Sequence, residues 1–262
     1  MDNSKRKTVI SLKDIVLTYS ANKKSKFDAL TDINLDIYEN DFVCVLGKSG
    51  CGKSTLLNII AGFLMPTQGS ATILGKPITG PDKNRAVVFQ NATLYPWLST
   101  YDNIAFGLKM RRLPSEQIKK TVDKYTKSVG LSAFAENMPY ELSGGMKQRA
   151  SLARALSNEP EIILMDEPFG ALDALTRVKM QDLVRNIRKE HGSTMFMITH
   201  DVDEAMVLAN RIIILSERPG TIVKTIDLDF CDRIKSACDD DIKYSEEYRK
   251  IRNEILEIIN EE

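Results

Sequence analysis

An α/β fold with a mainly parallel sheet, an antiparallel β edge at its N-terminal end and an inserted helical subdomain is predicted from three observations. Four short apolar runs, Phe42-Val43-Cys44-Val45-Leu46, Ile162-Ile163-Leu164-Met165, Met195-Phe196-Met197-Ile198 and Ile212-Ile213-Ile214-Leu215, have the continuous hydrophobicity of strands covered on both faces. Helical periodicity falls between them, after Lys53 and over about 114–129, 145–157, 175–189 and 203–208, the alternation of a doubly wound sheet. The stretch 91–157 lacks strand runs, so it is expected to be a helical insertion. The chain is therefore expected to be a single domain over 1–262. Residues 1–90 and 158–229 would form the α/β core, 91–157 the helical subdomain and 230–262 a helical tail.

The N-terminal edge comes first. Residues 9–19 alternate loosely and lead through a Lys-rich stretch to a second strand near 33–38. The strand 42–46 then runs into Gly47-Lys48-Ser49-Gly50-Cys51-Gly52-Lys53-Ser54-Thr55, followed by the helical Leu56-Leu57-Asn58-Ile59-Ile60. This is the full GxxxxGK[ST] spacing in the strand-to-helix context that it requires, and it defines a P-loop NTPase core. Glycines let backbone N–H groups face phosphates, Lys53 supplies a mobile positive charge, and the Ser54 hydroxyl can ligate Mg2+.

Next, the short strand 86–89 ends at Gln90 and leads into the apolar loop Asn91-Ala92-Thr93-Leu94-Tyr95-Pro96-Trp97-Leu98, which holds the single tryptophan. The Gln90 amide can touch Mg2+ or a lytic water; read alone, the segment is equally an ordinary polar strand end with a packed ring. In Leu142-Ser143-Gly144-Gly145-Met146-Lys147-Gln148-Arg149, a serine and two glycines precede a helical pattern of Met146, Ala150, Leu152, Ala153 and Leu156. A helix N-terminus of that kind presents free N–H groups to an anion, which makes it a second phosphate site.

At the end of the strand 162–165, Asp166 and Glu167 place two carboxylates where charge is costly without a metal or a reaction. Adjacent strand residues point to opposite sides, so their roles differ: Asp166 suits Mg2+ through its water shell, and Glu167 suits a general base for water. His200 ends the strand 195–199, where it can hydrogen-bond a phosphate oxygen or serve as a satisfied loop histidine. His191 ends a helix and takes no role. Tyr19 reads as strand packing or as a ring for a base. Tyr248, Ile251, Ile255 and Ile259 mark a closing amphipathic helix, expected to pack on its own domain.

Composition bounds the partners. Basic and acidic residues balance at 36 each, so no global field attracts nucleic acid, and the clusters at Lys5–Lys7 and Lys23–Lys26 read as solvated surface. No apolar run approaches a membrane span and no secretory segment opens the chain. The expectation is a cytosolic protein unless a partner docks it. Cys44, Cys51, Cys231 and Cys238 form no CxxC pair, and with two histidines no zinc site is expected, only reduced thiols.

Taken in order, these motifs resemble the ATP-binding subunit of an ABC transporter over nearly the whole chain. The resemblance makes Gln90 the Q-loop residue, Leu142 to Gln148 the signature, Ala171-Leu172-Asp173 the D-loop, His200 the switch histidine and Tyr19 the adenine-stacking ring. Tyr95 to Ser99, Asp166 to Asp173 and Ser216-Glu217-Arg218-Pro219-Gly220 are similar to importers of the nitrate, sulfonate and taurine type. Other members of that group import bicarbonate, cyanate or vitamin-precursor pyrimidines, and a soluble ABC-type ATPase without a membrane partner is the alternative outside transport. Departures are slight: Ser70 after Gly69, and Cys51 inside the phosphate loop.

The resemblance implies ATP and Mg2+, the latter on Ser54, Gln90 and Asp166. It implies head-to-tail pairing with a second copy or a related subunit, so that Ser143, Gly144 and Gly145 of one reach the phosphate bound by Lys53 of the other. It further implies membrane permease subunits, an indirect solute-binding protein, no nucleic acid, and a peripheral position on the cytoplasmic face of the membrane.

Overall fold

The computed structural model describes residues 6–22, 25–234, 237 and 239–261. Cys238, and Lys5, Lys23 and Lys24 of the basic clusters, lie outside the described residues. The chain divides into two units, one comprising Met1–Asp82 and Thr194–Glu262 and the other Lys83–Ser193.

The first unit begins with β1 (Thr8–Asn22) and β2 (Ser25–Tyr38), which pair antiparallel from Thr8 opposite Tyr38 to Asn22 opposite Ser25. The second strand thus starts well before the expected 33–38. The Lys- and Ser-containing composition suggests a loop, but the backbone ladder reaches Asn22 on one side of it and Ser25 on the other. Ile10, Leu12, Ile15 and Leu17 of β1 and Leu30, Ile33, Leu35 and Ile37 of β2 are buried, the period-two pattern of a sheet with one covered face. Where the register shifts between Leu12 and Ile15, Asp14 takes a φ of 51°, a bulge that twists the strand.

The fully buried β3 (Phe42–Leu46) leads to α1 (Lys53–Ala61), and then come β4 (Gln68–Ile73) and β5 (Lys76–Pro77). These last two complete a sheet in the order β2-β1-β4-β5.

In the second unit, β6 (Arg85–Val88) lies parallel to β7 (Ile162–Asp166), from Arg85 opposite Ile162 to Val88 opposite Met165. Between them run α2 (Thr100–Met110), α3 (Ser115–Ser128) and α4 (Gly144–Leu156), and α5 (Ala174–His191) follows β7. The helix α2 has no clear apolar periodicity at its start. It is set instead by Ser99, whose side chain caps it by accepting from the Asp102 N–H at 3.1 Å.

The first unit resumes with β8 (Thr194–Ile198), α6 (Val202–Leu208), β9 (Arg211–Leu215) and β10 (Ile222–Asp227), followed by α7 (Phe230–Arg233), α8 (Asp240–Lys243) and α9 (Glu246–Glu261). In this unit β3 lies between β8 and β9, parallel to both, and β10 pairs antiparallel on the far side of β9. All residues of β3, β8 and β9 are buried, as their continuous apolar sequences require.

One buried charge anchors the start of this sheet. Asp41, fully buried, accepts from the Tyr38 N–H at 3.0 Å and from Asn210 Nδ2 at 3.0 Å, and it pairs with Arg6 and Arg211. A buried carboxylate is tolerated where its lone pairs are satisfied in this way.

The closing helix α9 packs on its own unit through Tyr248 and Ile255, both buried. The Tyr248 hydroxyl donates to Asp203 Oδ1 at 3.1 Å, and Arg252 grips both oxygens of that carboxylate at 2.8 and 3.0 Å. Among the described residues no helix is long and apolar enough to cross a membrane. Cys44, Cys51 and Cys231 are buried.

Candidate nucleotide site

In the first unit, β3 delivers the chain into the loop Gly47 to Gly52. Gly52 sits just ahead of α1 with a φ of 103°, and a Cβ there would lie 2.8 Å from the Ala29 carbonyl oxygen, so both conformation and space require glycine. No side chain caps α1 and no acidic residue stands in its first turn. The leading N–H groups and the positive end of the helix are thus available to an anion.

Lys53 curls back over this loop, its Nζ donating to the carbonyls of Gly47 at 2.7 Å and Lys48 at 2.8 Å. The ammonium is held over the bowl formed by the loop, where phosphate oxygens can exchange with those carbonyls. Ser54 is exposed on the first turn, and Thr55 Oγ1 lies 3.4 Å from the Tyr19 hydroxyl. Tyr19 is therefore beside the phosphate loop as well as packed on the Phe27 ring at 5.6 Å. Cys51 is buried, 3.8 Å from Lys53 Nζ, which makes it a packing residue under the loop rather than an open thiol.

His200, exposed, follows β8 and precedes α6. The turn around it is fixed on both flanks: the Thr199 hydroxyl donates to buried Glu204 at 2.5 Å, the Asp201 N–H to Thr199 Oγ1 at 3.1 Å, and the Glu204 N–H to Asp201 Oδ1 at 3.0 Å. Sequence reading passed over Thr199 and Glu204, because nothing in a buried Glu on a short helix signals its partner.

In the second unit, β7 presents half-buried Asp166 and Glu167 at its C-terminal end. Gln90 Nε2 donates to Glu167 Oε2 at 3.0 Å, which joins two residues that the sequence singled out separately. Glu167 adopts a φ of 44°, in the left-handed region that a residue with a Cβ enters only under constraint. The loop after Gln90 is held by residues that sequence reading also missed. The buried Asn103 amide donates to the carbonyls of Tyr95, Leu98 and Ser99 at 3.1, 2.9 and 3.0 Å, and Arg154 donates to the Thr93 carbonyl at 2.8 Å while lying over the Tyr95 ring. Trp97 is left 70% exposed.

The Leu142 to Gln148 segment divides into two parts. Leu142 and Gln148 are buried, and Gln148 Nε2 donates to the Phe89 carbonyl at 3.1 Å. These two shape the turn from inside their unit. Ser143 and Gly144 are exposed, with Gly145, Met146 and Lys147 half-buried. Ser143 caps α4, accepting from the Met146 N–H at 3.3 Å, and no acidic residue occupies the first turn. This is a second helix N-terminus open to an anion. Asp173 plays a similar capping role for α5, accepting from the Thr176 N–H at 3.0 Å, and those bonds hold its carboxyl below the usual range.

The Ser54 hydroxyl in the first unit and the Asp166 carboxylate in the second are each oxygen donors of the hard kind that Mg2+ takes. Among the described residues no group of three or more His, Cys, Asp or Glu side chains is arranged to hold a metal ion.

A family model described as "ABC transporter" matches residues 30–170. A taurine import ATP-binding protein of Roseobacter denitrificans is 46% identical over 252 residues, covering 96% of this chain and 94% of that protein. An uncharacterized ABC transporter ATP-binding protein of Methanocaldococcus jannaschii is 44% identical over 238 residues, covering 91% of this chain and 86% of its own length. Among solved structures, a dimeric bacterial ABC transporter cassette superposes with a TM-score of 0.78 at 35% identity, over 84% of this chain and 99% of that one. A dimeric post-hydrolysis cassette bound to ADP and Pi gives 0.76 at 33% identity, with the same coverage.

Proposed function

Because the chain belongs to the ABC transporter family as an ATP-binding subunit, we propose that it powers the import of a small anionic or zwitterionic solute of the taurine, sulfonate or nitrate type. The observation that carries this reading is the 46% identity to a taurine import ATP-binding protein over nearly the full length of both chains.

The mechanism follows from the helix ends and the carboxylates. ATP phosphates bind at the N-terminus of α1, where the loop N–H groups and Lys53 neutralise their charge, while Tyr19 stacks on the base. Ser54 of the first unit and Asp166 and Gln90 of the second are the residues that would hold Mg2+, which would supply Lewis-acid charge stabilisation to the phosphates. Glu167 takes a proton from the attacking water, and its hydrogen bond from Gln90 keeps the carboxylate oriented for that task. His200 donates to the terminal phosphate.

Ser143, Gly144 and Gly145 of a second subunit complete the site from across the dimer, so that ATP binding favours the closed pair and hydrolysis releases it. The dimeric state of both solved relatives supports that pairing. The exposed loop around Trp97 passes the motion to permease subunits at the cytoplasmic face of the membrane.

The test is reconstitution of the chain with a permease and binding protein from its own genome in proteoliposomes. Uptake of labelled taurine or nitrate that depends on internal MgATP supports the proposal. ATP turnover by a chain that never associates with a permease overturns it.

A further inference from the structure

The segment Ser216-Glu217-Arg218-Pro219-Gly220 touches the phosphate loop in three places. Ser216 closes the loop on itself, its hydroxyl donating to the Glu217 and Pro219 carbonyls at 3.0 and 3.1 Å and accepting from the Thr221 N–H at 2.9 Å. Gly220 fastens it to β2, exchanging backbone bonds of 3.0 Å with Ala29 and Thr31. A Cβ on Gly220 would come 2.1 Å from the Cys51 carbonyl oxygen, so the loop sits directly against the phosphate loop. Lys48 Nζ pairs with Glu217 Oε1 at 3.0 Å, and Arg218 Nη2 approaches the Gly50 carbonyl at 3.4 Å.

Arg218 also does something that bracing the phosphate loop does not require. Its guanidinium carbon lies 4.7 Å over the centroid of Phe27, and the far neighbour of Phe27 is Tyr19, centroid to centroid 5.6 Å. Phe27 is 37% exposed, so without the guanidinium over it the ring has rotameric freedom, and Tyr19 loses a fixed wall.

We propose that Arg218 is a positioning residue for base recognition: through Phe27 it fixes the ring of Tyr19, so that the loop 216–220 couples the phosphate side of the nucleotide site to its base side. This rests on the reading of Tyr19 as the base-stacking ring. The bases that profit are those with a broad π-face, adenine and other purines, because stacking energy follows ring overlap.

The experiment is calorimetric titration of the full chain with MgATP and with magnesium tripolyphosphate, a ligand that has the phosphates and no base. Arg218→Ala is expected to weaken MgATP about fivefold and leave tripolyphosphate unchanged, the size of a partly exposed cation–π contact. Phe27→Leu should do the same, the double variant should lose no more than either alone, and Arg218→Lys should recover part of the loss. Equal weakening of both ligands by Arg218→Ala overturns the proposal in favour of a phosphate-loop brace, and no change in either also overturns it. Tyr19→Ala separates the two levels. If it leaves the ratio of the two affinities unchanged, the base-stacking reading itself fails; if it lowers the ratio and Arg218→Ala does not, the positioning role alone fails.

Discussion

The Gln90 amide donates to the Glu167 carboxylate at 3.0 Å, so the residue proposed to face the lytic water and the residue proposed to activate it form one unit. Glu167→Gln keeps the shape and removes the base. Turnover is expected to fall about 10²- to 10⁴-fold, the usual contribution of a general base, with MgATP affinity held within about twofold. Phosphate release and nucleotide titration measure the two, and size-exclusion chromatography with MgATP should show a persistent dimer. Brisk turnover in this variant would sink the assignment of Glu167.

Ser143 is exposed and caps α4, which allows its two roles to be separated. Ser143→Ala removes the cap and should cost about 1 kcal/mol of stability while permitting ATP-dependent pairing. Ser143→Arg adds bulk and charge at the same position. It should leave nucleotide binding to the single subunit unchanged and abolish pairing, as read by light scattering. An Arg variant that dimerises normally removes Ser143 from the interface.

Trp97 is the sole tryptophan and is 70% exposed, so its emission should be that of an indole in water. On assembly with a permease the maximum should move to the blue and quenching by iodide should fall. Trp97→Ser should leave nucleotide binding within about twofold and lower co-purification with the permease, since an exposed aromatic anchor acts through a partner. Unchanged emission in the assembled complex would place the docking surface elsewhere.

Tyr125 on α3 is 1% exposed and its hydroxyl has no hydrogen-bond partner. Burial, followed by the charges of Glu159 and Glu190, raises its pKa to about 12. The folded state therefore holds this proton more tightly than the unfolded chain does. The associated stability is complete below the ordinary tyrosine pKa and is lost as the pH rises through about 12. Tyr125→Phe removes both the orphan hydroxyl and the titration. Denaturant melts should show a gain of about 1 kcal/mol at neutral pH and a shallower decline in alkali.

Much of this arrangement was legible in the sequence because it depends on local pattern. The stretches 42–46, 162–165, 195–198 and 212–215 are buried and read as unbroken apolar runs, and the phosphate loop follows from glycine and lysine spacing alone. Elements made by pairing or capping were not legible. β10 is short and largely exposed, the start of β2 is a polar segment held extended by its pairing with β1, and α2 begins at a cap rather than at an apolar stripe. In the site, the sequence marked Gln90 and Glu167 but not their hydrogen bond. It marked Leu142 and Gln148 as the ends of one motif but not that both are buried. Contacts such as Arg218 over Phe27 join residues far apart in the chain and leave no trace in either segment.

The φ of 44° at Glu167 has a thermal consequence. A residue with a Cβ pays on the order of 1 kcal/mol to remain left-handed, whereas glycine pays almost nothing. Glu167→Gly should therefore abolish hydrolysis and still melt a few degrees higher than the parent chain, by about 2–4 °C for a protein of this size. Heat resistance and turnover would then be inherited in opposite directions at one position. A selection for thermostability alone would be drawn toward discarding the glutamate, and any screen for hardier variants of this ATPase has to retain a test of phosphate release beside its melting curve.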